Sequence, residues 1–155
     1  MAPMTAHPPA PIAQPDTAEL ASRLRFSVTR LARLLRQQSD PGLTPTQLAT
    51  LATIQRSGPM PIGALAEAEQ VGAPAATKVV DKLHAAGYVD RVADQGDRRV
   101  KRVAISRAGD ELLATLRARK TAWLTTRLAD LTPSDLAALA DALAVLEQLV
   151  APREP

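Results

Sequence analysis

Residues 71–87 read VGAPAATKVVDKLHAAG, and this stretch decides the fold of the 155-residue chain. It opens with Gly72 and Pro74, continues through residues that favour a helix, and stops at Gly87. Proline suits the first turn of a helix and glycine suits its C-terminal cap, so the spacing predicts a helix between them. Residues 63–68 predict a shorter helix just before it. A short helix, a turn and a longer helix make a helix-turn-helix.

Two short strands and a charged loop follow this helix. Residues 88–92 and 101–105 predict the strands, and the eight residues from 93 to 100 predict a wing between them. The chain is therefore expected to be mainly α with a small β-hairpin wing, which is a winged helix-turn-helix. The DNA-binding lobe is expected to span residues 43–106.

Positive charge is concentrated in the predicted helix and wing. From Gly72 to Arg107 there are eight Lys and Arg against four Asp, a net charge of +4. The rest of the chain has 11 basic and 12 acidic residues, a net charge of −1. A local basic excess is typical of a surface that contacts phosphates, so double-stranded DNA is the expected partner. Chance clustering on a solvated surface is the alternative interpretation.

The composition excludes several classes of function. The absence of Cys excludes disulfides, thiol redox sensing and thiolate metal sites. No apolar run approaches the ~20 residues of a membrane span, and the N-terminus lacks a signal-peptide pattern, so a cytoplasmic location is expected. There is no Gly-rich phosphate loop, zinc-binding His pair or nucleophile elbow. We therefore expect no enzymatic activity, no metal and no cofactor.

The segments on either side of the lobe have different compositions. Residues 1–15 contain five prolines, which predicts a disordered tail because proline donates no backbone hydrogen bond. Helices are predicted over residues 16–38 and 107–150, with a break near residue 130. The motif LTPTQL at residues 43–48 combines a capping box with a hydrophobic staple, and LTPSDL at 131–136 repeats its pattern. Both motifs predict helix starts.

Leucines form apolar stripes along the first and last predicted helices. The candidates for dimerisation are Leu20, Leu24, Leu136, Leu139, Leu143 and Leu146. Such stripes pack either in the core of one monomer or against a second copy of the chain. The leucine spacing alone does not separate these two alternatives.

Three motifs in order resemble one family. They are LTPTQL at 43–48, VVDKL at 79–83 with AGYVDR at 86–91, and DRR at 97–99 with VAISRAG at 103–109. In this order and spacing, the chain resembles the MarR type of bacterial transcriptional regulator over residues 17–150.

The resemblance implies a homodimer whose N- and C-terminal helices interlock, with one winged unit on each subunit. It implies binding to a pseudo-palindromic operator, with recognition helices in consecutive major grooves and wings in the flanking minor grooves. Family members usually repress, and many release DNA when a small aromatic or phenolic ligand binds between the dimer helices and the winged lobe. The alternative is a winged-helix protein-interaction or small-molecule-binding module that does not bind DNA. No pocket residues are assigned from the sequence.

The resemblance also implies which residues carry function. The DNA-binding candidates are Gly72, Ala73, Pro74, Ala75, Ala76, Thr77, Lys78, Lys82, Arg98, Arg99 and Lys101. Arg98 is the candidate for the minor groove, since a narrow groove attracts a guanidinium. Asp97 and Arg99 are expected to stabilise the wing tip, and Asp81 is expected to pair with a neighbouring basic residue. Lys78 and Lys82 replace the commoner Arg, which weakens the case for bidentate reading of guanine.

Overall fold

The computed structural model describes residues 16–38, 42–94, 96 and 101–151, and they form six helices and three strands. In chain order the elements are α1 (Thr17–Gln37), α2 (Pro45–Ser57), β1 (Met60–Pro61), α3 (Ile62–Ala68), α4 (Ala73–Ala85), β2 (Val89–Ala93), β3 (Lys101–Ile105), α5 (Arg107–Ala129) and α6 (Pro133–Val150). The predicted mainly α fold with a small β wing is confirmed. The predicted tail, residues 1–15, lies outside the described residues. The chain divides into two compact units, one ending at Leu35 and one beginning at Arg36.

Local sequence signals explain where the helices begin. The hydroxyl of Thr44 accepts a hydrogen bond from the Gln47 amide at 3.2 Å, and the Gln47 side chain accepts from the Thr44 amide at 2.8 Å. This is the predicted capping box of α2. Thr132 caps α6 in the same way by accepting from the Asp135 amide at 3.2 Å. The two predicted helix starts are confirmed.

The end of α4 depends on a glycine with a positive φ. Gly87 has φ 79°, and it follows the cap residue Ala86. The Gly87 amide donates to the carbonyl of His84, and the Tyr88 amide donates to the carbonyl of Leu83, both at 2.9 Å. This pair of bonds is a Schellman motif, which confirms Gly87 as the terminator. Ala86 lies just beyond the helix, which ends at Ala85, and it is exposed.

The sheet has one more strand than the sequence predicts. Strand β3 pairs antiparallel with β2, with Val89 opposite Ile105 and Ala93 opposite Lys101. It also pairs antiparallel with β1, so the strand order is β1-β3-β2. Strand β1 is only two residues long, which is too short for the sequence to reveal its pairing. Pro61 is tolerated because β1 is at the edge of the sheet.

One apolar core in the second unit holds these elements together. It contains Leu51, Ile54, Leu65, Val80, Leu83, Val89, Val103 and Leu113. These side chains come from α2, α3, α4, β2, β3 and α5, so α4 is held on its inner face by the rest of the lobe. Its outer face is left to solvent. Among the described helices, none is both long and apolar enough to cross a membrane.

Candidate nucleic-acid interface

The first turn of α4 has little side-chain bulk on its outer side. Gly72 is the N-terminal cap and makes no side-chain capping bond, and Pro74 occupies the first turn. Gly72, Ala73, Pro74 and Ala75 are all exposed. Because these residues are small, another molecule can approach the backbone of this helix end closely.

One of the predicted DNA-binding residues, Ala76, has a buried side chain. Ala76 is only 4% exposed and belongs to the buried core. It lies four residues before Val80 and seven before Leu83, so all three share one face of the helix. Its methyl group packs in the lobe, so the predicted DNA contact at this position concerns the close approach of the helix end and stays a prediction.

The outer face of α4 presents two lysines without acidic partners. Lys78 and Lys82 are exposed, lie one turn apart, and form no ion pair within the described residues. The nearest acid on the helix, Asp81, pairs with Arg91 of β2. This pairing confirms the prediction for Asp81, and it offsets the one negative charge beside the lysines. Thr77 is half-buried, and its hydroxyl donates to the carbonyl of Ala73 at 2.9 Å.

The turn before α4 is fixed by α2. The hydroxyl of Thr53 donates to the Glu69 carboxylate at 2.6 Å. Next to Glu69, Gln70 has φ 54°, and the Val71 amide donates to the carbonyl of Ala66 at 2.9 Å. These contacts set the direction in which the chain leaves α3 and enters α4.

The base of the wing is held by a pair that the sequence reasoning missed. Arg102 of β3 donates to the carboxylate of Asp94 and, at 3.0 Å, to the carbonyl of Pro59. Asp94 also accepts from the Gly96 amide at 2.7 Å. Arg102 therefore joins the end of β2 to the segment that enters β1. Alternation along β3 could have indicated it, because Arg102 lies on the face opposite to Lys101 and Val103.

The wing tip itself lies outside the described residues. The predicted DNA contacts of Arg98 and Arg99, and the predicted stabilising roles of Asp97 and Arg99, fall there and stay predictions. Lys101 is the first residue of β3 and is exposed. The Nδ1 of His84 donates to the carbonyl of Val89 at 2.8 Å. The described residues contain no group of three or more His, Cys, Asp and Glu that could hold a metal ion.

A small hydrogen-bonded junction connects α5 to the end of α4. The Ser106 hydroxyl accepts from the Gly109 amide at 3.1 Å and donates to the carbonyl of Gly87 at 2.6 Å. The Ser106 amide donates to the carbonyl of Tyr88 at 3.0 Å. Ser106 therefore caps α5 and also binds the turn that ends α4. At Gly109 the two segments approach so closely that an added Cβ would overlap the Tyr88 carbonyl oxygen.

A second candidate site is a groove of about 310 Å³ between α2 and α5. Its apolar part is formed by Leu48, Ala49, Ala52, Leu113 and Leu116. Three cations also line it, namely Arg36, Arg117 and Lys120, and none of them forms an ion pair within the described residues. An apolar cleft with unpaired positive charge suits a small organic anion. The sequence did not indicate this groove, because its lining comes from three separate elements.

Comparison with known proteins agrees with this geometry. The MarR family model matches residues 43–101. A helix-turn-helix-type transcriptional regulator of Mycobacterium bovis is 38% identical over 135 residues, which cover 86% of this chain and 94% of that protein. The transcriptional repressor MdtR of Bacillus subtilis is 28% identical, with 84% and 87% covered. A crystal structure from Pseudomonas aeruginosa, described as a transcriptional regulator, superposes with a TM-score of 0.79 at 31% identity and covers 90% and 99% of the two chains.

A winged helix-turn-helix lobe with an exposed, lysine-bearing recognition helix defines a DNA-binding transcriptional regulator. The chain belongs to the MarR family. It is a regulator of transcription and not an enzyme. The predicted family, fold and functional class are thereby confirmed.

Proposed function

We propose that this regulator acts as a homodimeric repressor, which binds a pseudo-palindromic operator and leaves it when a small aromatic acid binds. The observation that carries the proposal is the outer face of α4. Lys78 and Lys82 are exposed and form no ion pair with any residue that the structure describes, while the acid between them, Asp81, is paired with Arg91.

The shape of α4 supports insertion into the major groove. A single α-helix fits this groove, and the residues at its N-terminal end contact base edges. Here that end consists of Gly72, Ala73, Pro74 and Ala75, which keep the helix axis close to the DNA. Thr77 and Lys78 follow as candidates for base or phosphate contact. Lys82, one turn further on, suits a phosphate.

The terminal helices support a homodimer. No described residue of α1 or α6 is buried. Among the predicted dimerisation residues, Leu20, Leu136, Leu139 and Leu143 are exposed, and Leu24 and Leu146 are partly buried. An isolated monomer that leaves so much leucine in water would lose the hydrophobic stabilisation that burial provides. A second copy of the chain covers these stripes in the proposed assembly.

Charge supports the same assembly. Helix α1 carries five arginines against Glu19 alone, and α6 carries Asp135, Asp141 and Glu147 with no basic residue. Two-fold pairing of the chains would bring unlike charges towards each other, which favours association of this chain with itself.

The groove between α2 and α5 supports a ligand that is both apolar and anionic. Its leucine and alanine lining suits an aromatic ring, and Arg36, Arg117 and Lys120 suit a carboxylate or phenolate. Repression, as the direction of regulation, is supported by the similarity to the B. subtilis repressor.

The experiment is operator binding by the double variant Lys78→Ala/Arg98→Ala. Fluorescence anisotropy measures the affinity for the DNA upstream of the gene, and light scattering measures the mass. We expect loss of DNA binding with a mass that stays at twice 16.4 kDa. A variant that binds like the wild type would refute the assigned interface. If the wild type itself does not bind, the alternative of an interaction module without DNA binding is correct.

A further inference from the structure

One glutamine of the DNA-binding lobe binds α5, the helix that forms the other side of the groove. Gln55 is half-buried near the end of α2, and two residues of α5 hold it. Arg117 donates to its carbonyl oxygen, and its amide nitrogen donates to the Asp110 carboxylate. Asp110 and Arg117 are seven residues apart, which places them on one side of α5, two turns from each other. The Gln55 amide therefore bridges both, with its donor and its acceptor satisfied.

Arg117 belongs to this clamp and to the groove at once. It lines the groove together with Arg36 and Lys120. Within the described residues its guanidinium has a neutral amide as acceptor and no carboxylate partner. The bond from Arg117 to Gln55 has a charge on the donor only, whereas a guanidinium–carboxylate pair carries opposite charges on its two groups and is often bidentate. A carboxylate that enters the groove is therefore a better partner for Arg117 than Gln55 is.

The turn of α2 that carries Gln55 also contacts the segment before α4. Two residues before Gln55, Thr53 donates to Glu69 at 2.6 Å, and Glu69 begins the turn into α4. Leu51 and Ile54 anchor the same helix in the core. The C-terminal turn of α2 thus contacts α5 on one side and, on the other, the turn at Glu69 that connects α3 to α4.

We propose that Arg117 is the specificity and switch residue of this regulator. An aromatic carboxylate in the groove takes the Arg117 guanidinium from Gln55, and the end of α2 then loses its hold on α5. The change reaches the turn at Glu69, and with it the orientation of α4. This inference rests on the proposed role of the groove as the ligand site. The ligand is an aromatic carboxylate, because a neutral molecule of the same shape cannot displace Gln55 in this way.

The first test uses no ligand. Gln55→Ala and Arg117→Met, singly and combined, are compared with the wild type for DNA affinity by anisotropy. Because both changes break the same clamp, we expect each single variant to weaken binding and the double variant to be no weaker than the worse single one. Arg119→Met is the control, since Arg119 is exposed on the same helix and does not line the groove. If the loss of DNA-binding free energy in the double variant equals the sum of the losses in the two single variants, Gln55 and Arg117 do not act together.

The second test uses benzoate as the probe and benzamide as its neutral isostere. Calorimetry measures binding to the protein, and anisotropy measures DNA affinity with and without the probe. We expect benzoate to weaken DNA binding of the wild type and of Arg119→Met by about 5- to 150-fold, the usual range of allosteric coupling. Benzamide should have no effect. Gln55→Ala should still bind benzoate but change its DNA affinity by less than about twofold, and Arg117→Met should lose benzoate binding.

The outcomes separate the inference from the function on which it rests. Gln55→Ala that responds to benzoate like the wild type overturns Arg117–Gln55 as the switch and leaves the groove as a ligand site. A wild type that binds DNA but not benzoate overturns the ligand class and the displacement step together. Circular dichroism and urea unfolding of each variant show that it is folded under the assay conditions.

Discussion

Substitution of Gly109 by alanine tests the junction between α5 and the end of α4. An added Cβ would overlap the Tyr88 carbonyl oxygen, and it would lie 3.0 Å from Ile105 Cγ1 and 3.1 Å from the Tyr88 carbonyl carbon. The carbonyl cannot easily yield, because it accepts the Ser106 amide at 3.0 Å and follows Gly87 in its left-handed conformation. Either the start of α5 or the turn after α4 has to move.

The magnitude follows from three contributions. Overpacking of a tight site costs about 1–3 kcal/mol, and loosening the bond from Ser106 costs about 0.5–1.5 kcal/mol. The higher helix propensity of alanine stabilises the folded state by about 1 kcal/mol, which offsets part of these costs. We therefore expect Gly109→Ala to lower the free energy of unfolding by about 0.5–3.5 kcal/mol. For a chain of this size, the melting temperature should fall by about 2–4 °C for each kcal/mol.

The assay is urea unfolding followed by circular dichroism, at one fixed protein concentration because dimerisation contributes to stability. Gly63→Ala is the matched control. An added Cβ at Gly63 has nothing within 4 Å, and its φ is not positive, so this variant should be as stable as the wild type or up to ~1 kcal/mol more stable. Equal stability of Gly109→Ala and Gly63→Ala would refute the close approach of α5 to Tyr88.

Three further predictions concern the wing, the recognition helix and the dimer. Arg102→Met should weaken DNA binding by roughly tenfold, because it releases the base of the wing. Arg107→Met is the control, since Arg107 is exposed, and it should leave the DNA affinity unchanged. Equal affinities of the two variants in anisotropy would contradict the role of Arg102. Lys82→Ala should make the slope of log K against log salt shallower by about 2, since a dimer loses two phosphate contacts, and an unchanged slope would remove Lys82 from the interface. Leu139→Asp combined with Leu143→Asp should give a folded monomer of 16.4 kDa by light scattering. These side chains are 38% and 50% exposed, so they do not stabilise the core of the monomer. A variant that is still dimeric would place the interface elsewhere.

Local signals made much of the fold predictable. The capping box at Thr44, the caps at Thr132 and Ser106 and the glycine after α4 act through neighbours within a few residues. Such local signals can be read directly from the sequence. The antiparallel pairing of β2 with β3 also follows from short strands joined by one loop.

Features that join distant parts of the chain were not predictable in this way. Arg102 meets the Pro59 carbonyl across 43 positions, and Arg117 meets Gln55 across 62. Neither residue type nor spacing identifies such partners until the fold brings them together. Ala76 illustrates the same point, since a small side chain suits a DNA-facing surface and a tight core equally well, and only the fold shows that this one is buried.

The salt dependence of DNA binding tests the central claim most directly. Five basic residues in each subunit are candidates for phosphate contact, namely Lys78, Lys82, Arg98, Arg99 and Lys101. If a dimer uses between half of these contacts and all of them, the slope of log K against log salt should be about −5 to −9. The measurement is anisotropy of labelled upstream DNA between about 50 and 200 mM salt, with two chains bound to each duplex. A steep slope at this stoichiometry is the predicted result, and an affinity that does not change with salt would contradict DNA binding through α4 and the wing.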